Sequence, residues 1–168
     1  EYTGSVEIPS TVTIDGTTYN VTAIGYRAFA KCTGLTNVTL PASISVIGEQ
    51  SFALCSALTQ VAHANSFNLI KMGAFQDCTE LTDFTFPSHT ITIERQAFYG
   101  SGLKGVTLTE NMILDQAVFY ECNNLTSIII ADGVTAIPTW TFGWSSTFTE
   151  VNFPSSITTI HDYAFYNC

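Results

Sequence analysis

A phenylalanine returns along this chain at an almost fixed interval, and this periodicity limits the possible folds more than any other feature. Successive phenylalanines are separated by 23, 23, 23, 21, 23 and 23 residues in a chain of 168 residues. Self-similarity at such an interval is typical of a protein built from stacked units of one kind. The seven positions are Phe29, Phe52, Phe75, Phe98, Phe119, Phe142 and Phe165.

Other residue types recur at fixed distances from these phenylalanines. Between two of them lies an apolar triplet such as Leu35, Val38 and Leu40, whose last two members alternate with polar residues as in a β-strand. Pro41 follows directly and ends the strand, since proline cannot donate a ladder hydrogen bond. Each unit is therefore predicted to hold one short strand, and the segment before Phe52 to close in a helical or 3-10 turn. One such unit cannot bury its apolar stripe alone, so the units must stack on a shared core.

The two ends of the chain differ from the repeated part. Alternating apolar residues flank Asp15-Gly16, a pair that favours a tight hairpin turn. Residues 1–23 are interpreted as a first strand followed by a β-hairpin that caps the stack, and residues 24–168 as the repeats. The sequence stops at Cys168, inside a turn that leads toward another strand. We expect the native protein to continue with further repeats or a cap, and this fragment to self-associate through the uncovered C-terminal layer or to fray there.

Three segments resemble the BspA-like class of leucine-rich repeat: Leu35-Thr-Asn-Val-Thr-Leu-Pro41, Val46-Ile-Gly48 and Ala74-Phe-Gln-Asp-Cys78. The resemblance extends over nearly the whole chain. It implies one leucine-rich-repeat solenoid domain over residues 1–168, a mainly β member of the α/β class. Such a solenoid is a right-handed curved stack of about seven 23-residue units with parallel strands on its concave face. The resemblance also implies a secreted or cell-surface bacterial protein of the adhesion type, with a host or extracellular-matrix protein as its partner.

The charge of the chain narrows the possible partners. Five basic against 14 acidic residues give a net charge of −9, and no lysine or arginine follows Lys104. A phosphate backbone or an anionic membrane surface attracts clustered cations, so neither is expected as a partner. The apolar run Ile128–Ala131 is far shorter than the roughly 18 residues that a membrane-spanning helix needs.

Five cysteines raise the question of disulfides or a metal site. They stand three residues after a phenylalanine, and two equivalent positions hold Ser101 and Ser145. A metal-binding thiolate or a disulfide would not accept serine, whereas a small group that donates to turn backbone would. We therefore predict a ladder of free structural thiols and no metal or cofactor. His63, His89 and His161 lie in different units without a nucleophile motif, so the protein is predicted not to be an enzyme.

Outward-facing strand positions form the predicted partner-binding surface. They are polar, nearly uncharged and rich in threonine, which reflects either simple β-propensity or a shallow docking face for protein or glycan. Aromatic residues near the turns of the later units are a second candidate, either as binding hot spots or as fillers between turns. The candidate residues are Thr36, Asn37, Thr39, Thr59, Gln60, Thr82, Asp83, Thr85, Thr107, Thr126, Thr149, Asn152, Trp140 and Trp144.

The function predicted from these features is non-catalytic recognition of a protein partner at a bacterial surface. Because a fold alone does not fix function, two other hypotheses stay open. The domain could be a structural spacer that holds another domain away from the cell, or its threonine array could bind glycan or ice.

Overall fold

The computed structural model describes residues 2–168, and Glu1 lies outside the description. It shows a β-solenoid of parallel strands with no helix among the described residues. In chain order the strands are β1 (Thr3–Glu7), β2 (Thr11–Ile14), β3 (Thr17–Asn20), β4 (Ala23–Ile24), β5 (Gly34–Thr39), β6 (Val46–Ile47), β7 (Gln60–Ala62), β8 (Leu69–Ile70), β9 (Ile91–Ile93), β10 (Gly105–Leu108), β11 (Met112–Leu114), β12 (Ser127–Ile130), β13 (Ala136–Ile137) and β14 (Thr159–Ile160).

The predicted strands lie in two sheets that we call the major sheets. One contains β1, β5 and β7 and the other contains β10 and β12. Neighbours pair in parallel and in register, so that Val38 lies opposite Val61 and Val106 opposite Ile128. Inward side chains such as Val38 and Leu108 are buried, because alternate residues of a strand point to opposite faces. The stacking of equivalent units that the sequence predicts is confirmed.

Each unit also contains a short strand that the sequence analysis did not predict. These strands form the minor sheets: β4, β6, β8, β9 and β11 make one sheet, and β13 with β14 make another. Most are two residues long, as in Val46–Ile47. A segment this short cannot display the alternation of period two from which strands are recognised.

The segment around each phenylalanine forms a turn with hydrogen bonds of the predicted 3-10 type, and no continuous helix. The N–H of Ala53 donates to the carbonyl of Gln50 three residues earlier, at 3.1 Å, as in a 3-10 turn. The N–H of Phe52, which lies between them, instead donates to the carbonyl of Ala74 in the next unit, at 2.9 Å. Residues two before and two after each phenylalanine have positive φ, between 51° and 64°, which stops the turn from continuing as a helix.

The core contains an unbroken stack of the seven phenylalanine rings. Adjacent ring centroids lie 5.2 to 5.7 Å apart, with interplanar angles of 2° to 22°. Five of the rings, from Phe52 to Phe142, are fully buried. Offset stacking at this distance is a favoured arrangement of aromatic rings, so each layer stabilises the next.

The predicted N-terminal hairpin is confirmed. It consists of β2 and β3, and its turn residues Asp15 and Gly16 have φ of 50° and 78°, as a type I′ turn requires. All eight strand residues are exposed, including the apolar Val12, Ile14 and Tyr19. The ring that covers Phe29 is that of Tyr2, at 5.2 Å. The role of the hairpin as a cap stays a prediction.

Candidate functional site

Some of the predicted outward residues lie in strands of the major sheets, namely Thr36, Asn37 and Thr39 in β5, Gln60 in β7 and Thr107 in β10, while the others lie beside the strands or where no strand forms. Asn37 lies opposite Gln60, and a single bridge joins Ile129 to Asn152. Three of the candidates, Thr36, Asn37 and Thr82, are half-buried. The exposed ones are Thr39, Thr59, Gln60, Asp83, Thr85, Thr107, Thr126, Thr149 and Asn152.

Some threonine hydroxyls among these candidates already have backbone partners. The hydroxyl of Thr59 donates to the carbonyl of Thr36 at 3.0 Å, and that of Thr126 to the carbonyl of Lys104 at 3.1 Å. These hydroxyls join adjacent units at the entrance to each strand. Threonine in this column is therefore structural as well as exposed, which the sequence alone did not reveal.

The major sheets are interrupted at the third unit, between Leu81 and Pro87, where the sequence predicts a strand and the structure has none. The N–H of Lys104 donates to the carbonyl of Thr82 at 3.0 Å. Within the described chain, residues 83–86 make no backbone-to-backbone hydrogen bond with either neighbouring unit. At this point the backbone N–H and C=O groups therefore do not form the ladder with neighbouring units that the major sheets form elsewhere.

Two large side chains explain the interruption. The inward positions of unit three hold Phe84 and Phe86, where the units on either side have valine, histidine or leucine. The ring of Phe84 lies 5.2 Å from Phe75 and 5.0 Å from Phe98, and the ring of Phe86 lies 5.4 Å from Phe98. Because a close-packed core cannot absorb extra volume without moving backbone, we infer that the two rings displace this segment from its neighbours.

A depression lies on each side of the interrupted segment. The larger, about 830 Å³, is lined by Asp83, Phe86, Lys104 and Thr107 among others. The smaller, about 550 Å³, is lined by Gln60, His63, Asp83 and Thr85 among others. Asp83 lines both. We call the interrupted segment and its two depressions the open region.

His63 occupies an inward position at the margin of the open region. Its ring lies 4.6 Å from Phe67 and 5.5 Å from Phe84. Nδ1 accepts the N–H of Asn65 at 3.2 Å, while the buried Nε2 has no hydrogen-bond partner. Burial lowers the pKa of His63, and the backbone of Thr85 opposes this shift. The imidazole is therefore neutral near pH 7, and its surroundings are those of a core residue.

The cysteine column forms the predicted ladder of hydrogen bonds. Four of the five thiols, those of Cys55, Cys78, Cys122 and Cys168, donate to the carbonyl of the phenylalanine of the preceding unit, at 3.0 to 3.2 Å. The Ser145 hydroxyl makes the same bond to Phe119, at 3.0 Å. Burial raises the pKa of Cys55 to about 11 and that of Cys122 to about 12. All five cysteines are free thiols, and the described residues contain no group of three that could hold a metal ion.

The two predicted tryptophan candidates differ in their surroundings. Trp140 is half-buried, stacks on Tyr163 at 4.4 Å, and packs over Gly143, where a Cβ added to the glycine would lie 2.8 Å from the indole. Trp144 is 44% exposed. Trp140 thus fills space between turns, while Trp144 faces solvent. We call their shared surface the aromatic edge; it consists of Tyr120, Trp140, Trp144, Tyr163 and Tyr166.

The repeat architecture and its sequence columns place the chain in a known family. The family described as the BspA type leucine rich repeat region matches residues 5–122 and 112–168, with six copies. The chain belongs to this family. No curated protein matches the sequence at a significant level. No helix among the described residues is long and apolar enough to cross a membrane.

Solved structures with the same fold come from several bacteria. A leucine-rich repeat protein from Bacteroides ovatus has a TM-score of 0.88 at 28% identity, over 96% of this chain and 43% of that protein. A leucine rich cell surface protein from Faecalibacterium prausnitzii has a TM-score of 0.81 at 30% identity, over 98% of this chain and 45% of that protein. The leucine rich repeat protein of T. pallidum, with a TM-score of 0.74 at 24% identity, shares the fold, over 98% of this chain and 69% of that protein. This chain therefore spans less than half the length of the first two proteins.

Proposed function

We propose that this domain is a non-catalytic recognition module of a secreted or cell-surface bacterial protein, and that it binds a protein partner through the outer face of the major sheets. The observation that carries the proposal is the open region around residues 82–86. Support for the location comes from the similar Faecalibacterium prausnitzii protein, which is described as a cell surface protein. A host or extracellular-matrix protein is the partner class that the family resemblance favours.

The open region gives this face features that a regular threonine-rich sheet lacks. Residues 83–86 make no backbone-to-backbone hydrogen bond with either neighbouring unit, so an extended segment of a partner can add to the sheet at this point. Depressions of about 830 and 550 Å³ on either side can receive its side chains. The charge of Asp83 favours a basic side chain in the smaller depression, which no lysine or arginine lines, whereas Lys104 offsets that charge in the larger one.

Arginine substitution beside the two depressions tests this proposal. Thr85 lines the smaller depression and Thr107 the larger, and both are exposed. Thr85→Arg and Thr107→Arg should abolish or strongly weaken capture of a partner found in a panel of purified extracellular-matrix proteins, measured by biolayer interferometry. Their stability should change by less than about 0.5 kcal/mol, as is usual for surface substitutions.

The control is Asn68→Arg, an exposed residue beside the minor sheets that should leave binding intact. If both threonine variants bind fully and a variant of the aromatic edge loses binding, the partner binds the aromatic edge and not the outer face of the major sheets.

A spacer function is the second candidate, and the continuity of the stack favours it. The phenylalanine rings are in contact from Phe29 to Phe165, and one minor sheet runs through five units. A continuous core and sheet make a stiff rod that suits the separation of two domains. Two whole units could be deleted from the full-length protein as a test. If its function is preserved and only the distance between the flanking domains shortens, the spacer is favoured over recognition.

Binding of glycan or ice by the threonine array has less support, because hydroxyls such as that of Thr59 already bond backbone. Self-association through the C-terminal layer stays a proposal. Its apolar side chains are partly exposed, with 46% for Phe153 and 49% for Ile160. Light scattering over a range of protein concentrations tests it.

A further inference from the structure

The aromatic edge is unusual because the fold does not require aromatic residues there. Trp140 and Tyr163 stand two residues before a phenylalanine, at φ of 60° and 58°. Earlier units have arginine, glutamine, glycine or alanine at that position, with the same backbone conformation. A left-handed conformation disfavours bulky residues, so nothing in the backbone selects tryptophan or tyrosine. Trp140 fills space between turns, but smaller residues serve at the same position in the earlier units, so the fold does not require an aromatic residue there.

A small depression adjoins the aromatic edge. Its volume is about 280 Å³, and its lining residues are Arg95, Gln96, Gln116, Ala117, Tyr120 and Trp140. The rings of Tyr120 and Trp140, which meet edge to face at 5.7 Å, supply its aromatic surface, and Arg95, Gln96 and Gln116 supply three long polar side chains.

Hydrogen-bonding groups in this depression are free to receive a ligand. Among the described residues, the side-chain amides of Gln96 and Gln116 have no hydrogen-bond partner. The Arg95 guanidinium donates only to the Met72 sulfur, at 3.4 Å, which is a weak acceptor. An amide both donates and accepts, and so can satisfy a ligand hydroxyl in either sense. A concave site with an aromatic wall and a few convergent polar groups is the usual form of a small-molecule site.

A sugar ring matches this combination better than other small ligands. One face of a pyranose presents C–H groups that pack on an aromatic ring, while its edge presents hydroxyls that pair with amides. A charged ligand fits less well. The net charge of −9 repels anions. Arg95 disfavours a cation. We propose that the depression beside Trp140 binds one ring of a neutral hexopyranose, with Trp140 and Tyr120 as the stacking wall and Gln96, Gln116 and Arg95 as the hydroxyl-binding groups.

Tryptophan emission provides a local readout for this site. The chain contains two tryptophans, Trp140 and Trp144, and both belong to the aromatic edge. The probes are the methyl glycosides of glucose, galactose, mannose and N-acetylglucosamine, titrated to about 50 mM, because one ring held by few contacts binds with a dissociation constant of about 1 mM. At least one of them should shift or quench the emission, and should show saturation-transfer NMR signals from its ring protons.

Two variants separate binding from folding. Trp140→Gln introduces the residue that Gln50 and Gln96 already supply at the equivalent position and conformation, so the fold should be preserved by circular dichroism. It should abolish the saturation-transfer signals. Gln116→Ala, which keeps both tryptophans, should weaken binding at least about tenfold. Thr85→Arg on the major sheets is the control and should leave sugar binding unchanged, whether or not the proposed protein recognition is correct.

Several outcomes would overturn the proposal. One is the absence of any change in tryptophan emission or saturation-transfer signal with all four glycosides. Another is equal sugar binding by the folded Trp140→Gln variant, and a third is tighter binding of methyl glucuronide than of its neutral counterpart. Loss of a protein partner on Trp140→Gln without any sugar response would identify the aromatic edge as a protein contact instead.

Discussion

Truncation of one phenylalanine in the middle of the ring stack measures how far the layers support one another. Phe75 is fully buried, and its ring contacts Phe52 at 5.4 Å, Phe98 at 5.2 Å and Phe84 at 5.2 Å. Phe75→Ala removes a whole ring from a site enclosed on all sides. A Phe→Ala change in such a site costs about 3–5 kcal/mol. Typical domains have about 5–15 kcal/mol in total, so the variant should lose a large share of its stability.

Urea unfolding followed by far-UV circular dichroism and by tryptophan emission provides the assay. The tryptophans lie three units from Phe75, so coincident transitions would show that the layers unfold together. The matched control is Phe165→Ala, whose ring is half-buried and has one stacked neighbour, Phe142. It should cost less than about 2 kcal/mol. A loss below about 1 kcal/mol for Phe75→Ala, or one equal to that of Phe165→Ala, would refute the view that the ring stack is the main support.

Two further predictions concern the turns. The thiols of Cys55 and Cys122 have folded-state pKa values of about 11 and 12, against 9.0 for an ordinary thiol. Their contribution to the free energy of unfolding should therefore be full below pH about 9 and decrease as the pH rises toward those values. Unfolding free energies measured from pH 8 to 11 check this, and a flat profile would contradict it. Gly102→Ala would make a Cβ overlap the Thr79 carbonyl oxygen and should cost about 1–3 kcal/mol in urea unfolding. Gly25→Ala, whose Cβ would meet nothing within 4 Å, should change stability by less than about 0.5 kcal/mol, and similar losses for both variants would contradict the contact argument.

The regular part of the fold is predictable from sequence because its columns are repeated. A phenylalanine that recurs seven times defines the layer spacing, and the Cys or Ser three residues later defines a small donor that bonds the turn. Asp15-Gly16 predicts its hairpin from local backbone preference alone. These features depend on near neighbours in sequence or on equivalent positions, so one chain contains enough information.

The positive φ values at the two ends of each turn were not predicted, although a signal was present. Gly73 and Gly100 stand two residues before or after a phenylalanine, and Asp77 and Asn167 share the second position. Glycine, asparagine and aspartate are the residues that tolerate positive φ best. The signal is weak because arginine, glutamine and tryptophan occupy the same positions, held there by hydrogen bonds to the next unit.

The open region could not be predicted because it depends on packing rather than on pattern. Phe84 and Phe86 keep the alternation of a strand and are as hydrophobic as the residues they replace. They displace the segment through their volume, and this effect becomes visible only when the rings of Phe75 and Phe98 are placed beside Phe84. A change of volume in a tightly packed core moves backbone, and sequence periodicity carries no measure of that movement.

The two sides of the solenoid are joined unequally at the third unit, and this has a mechanical meaning. On the minor side β8 and β9 remain paired across this point, whereas on the major side residues 83–86 make no backbone-to-backbone hydrogen bond with either neighbouring unit. The minor sheet therefore connects the units continuously at this point, while the major-sheet side can open. Thermal bending should concentrate at the third unit. The minor sheet should act as the hinge axis, and the gap beside residues 83–86 should widen.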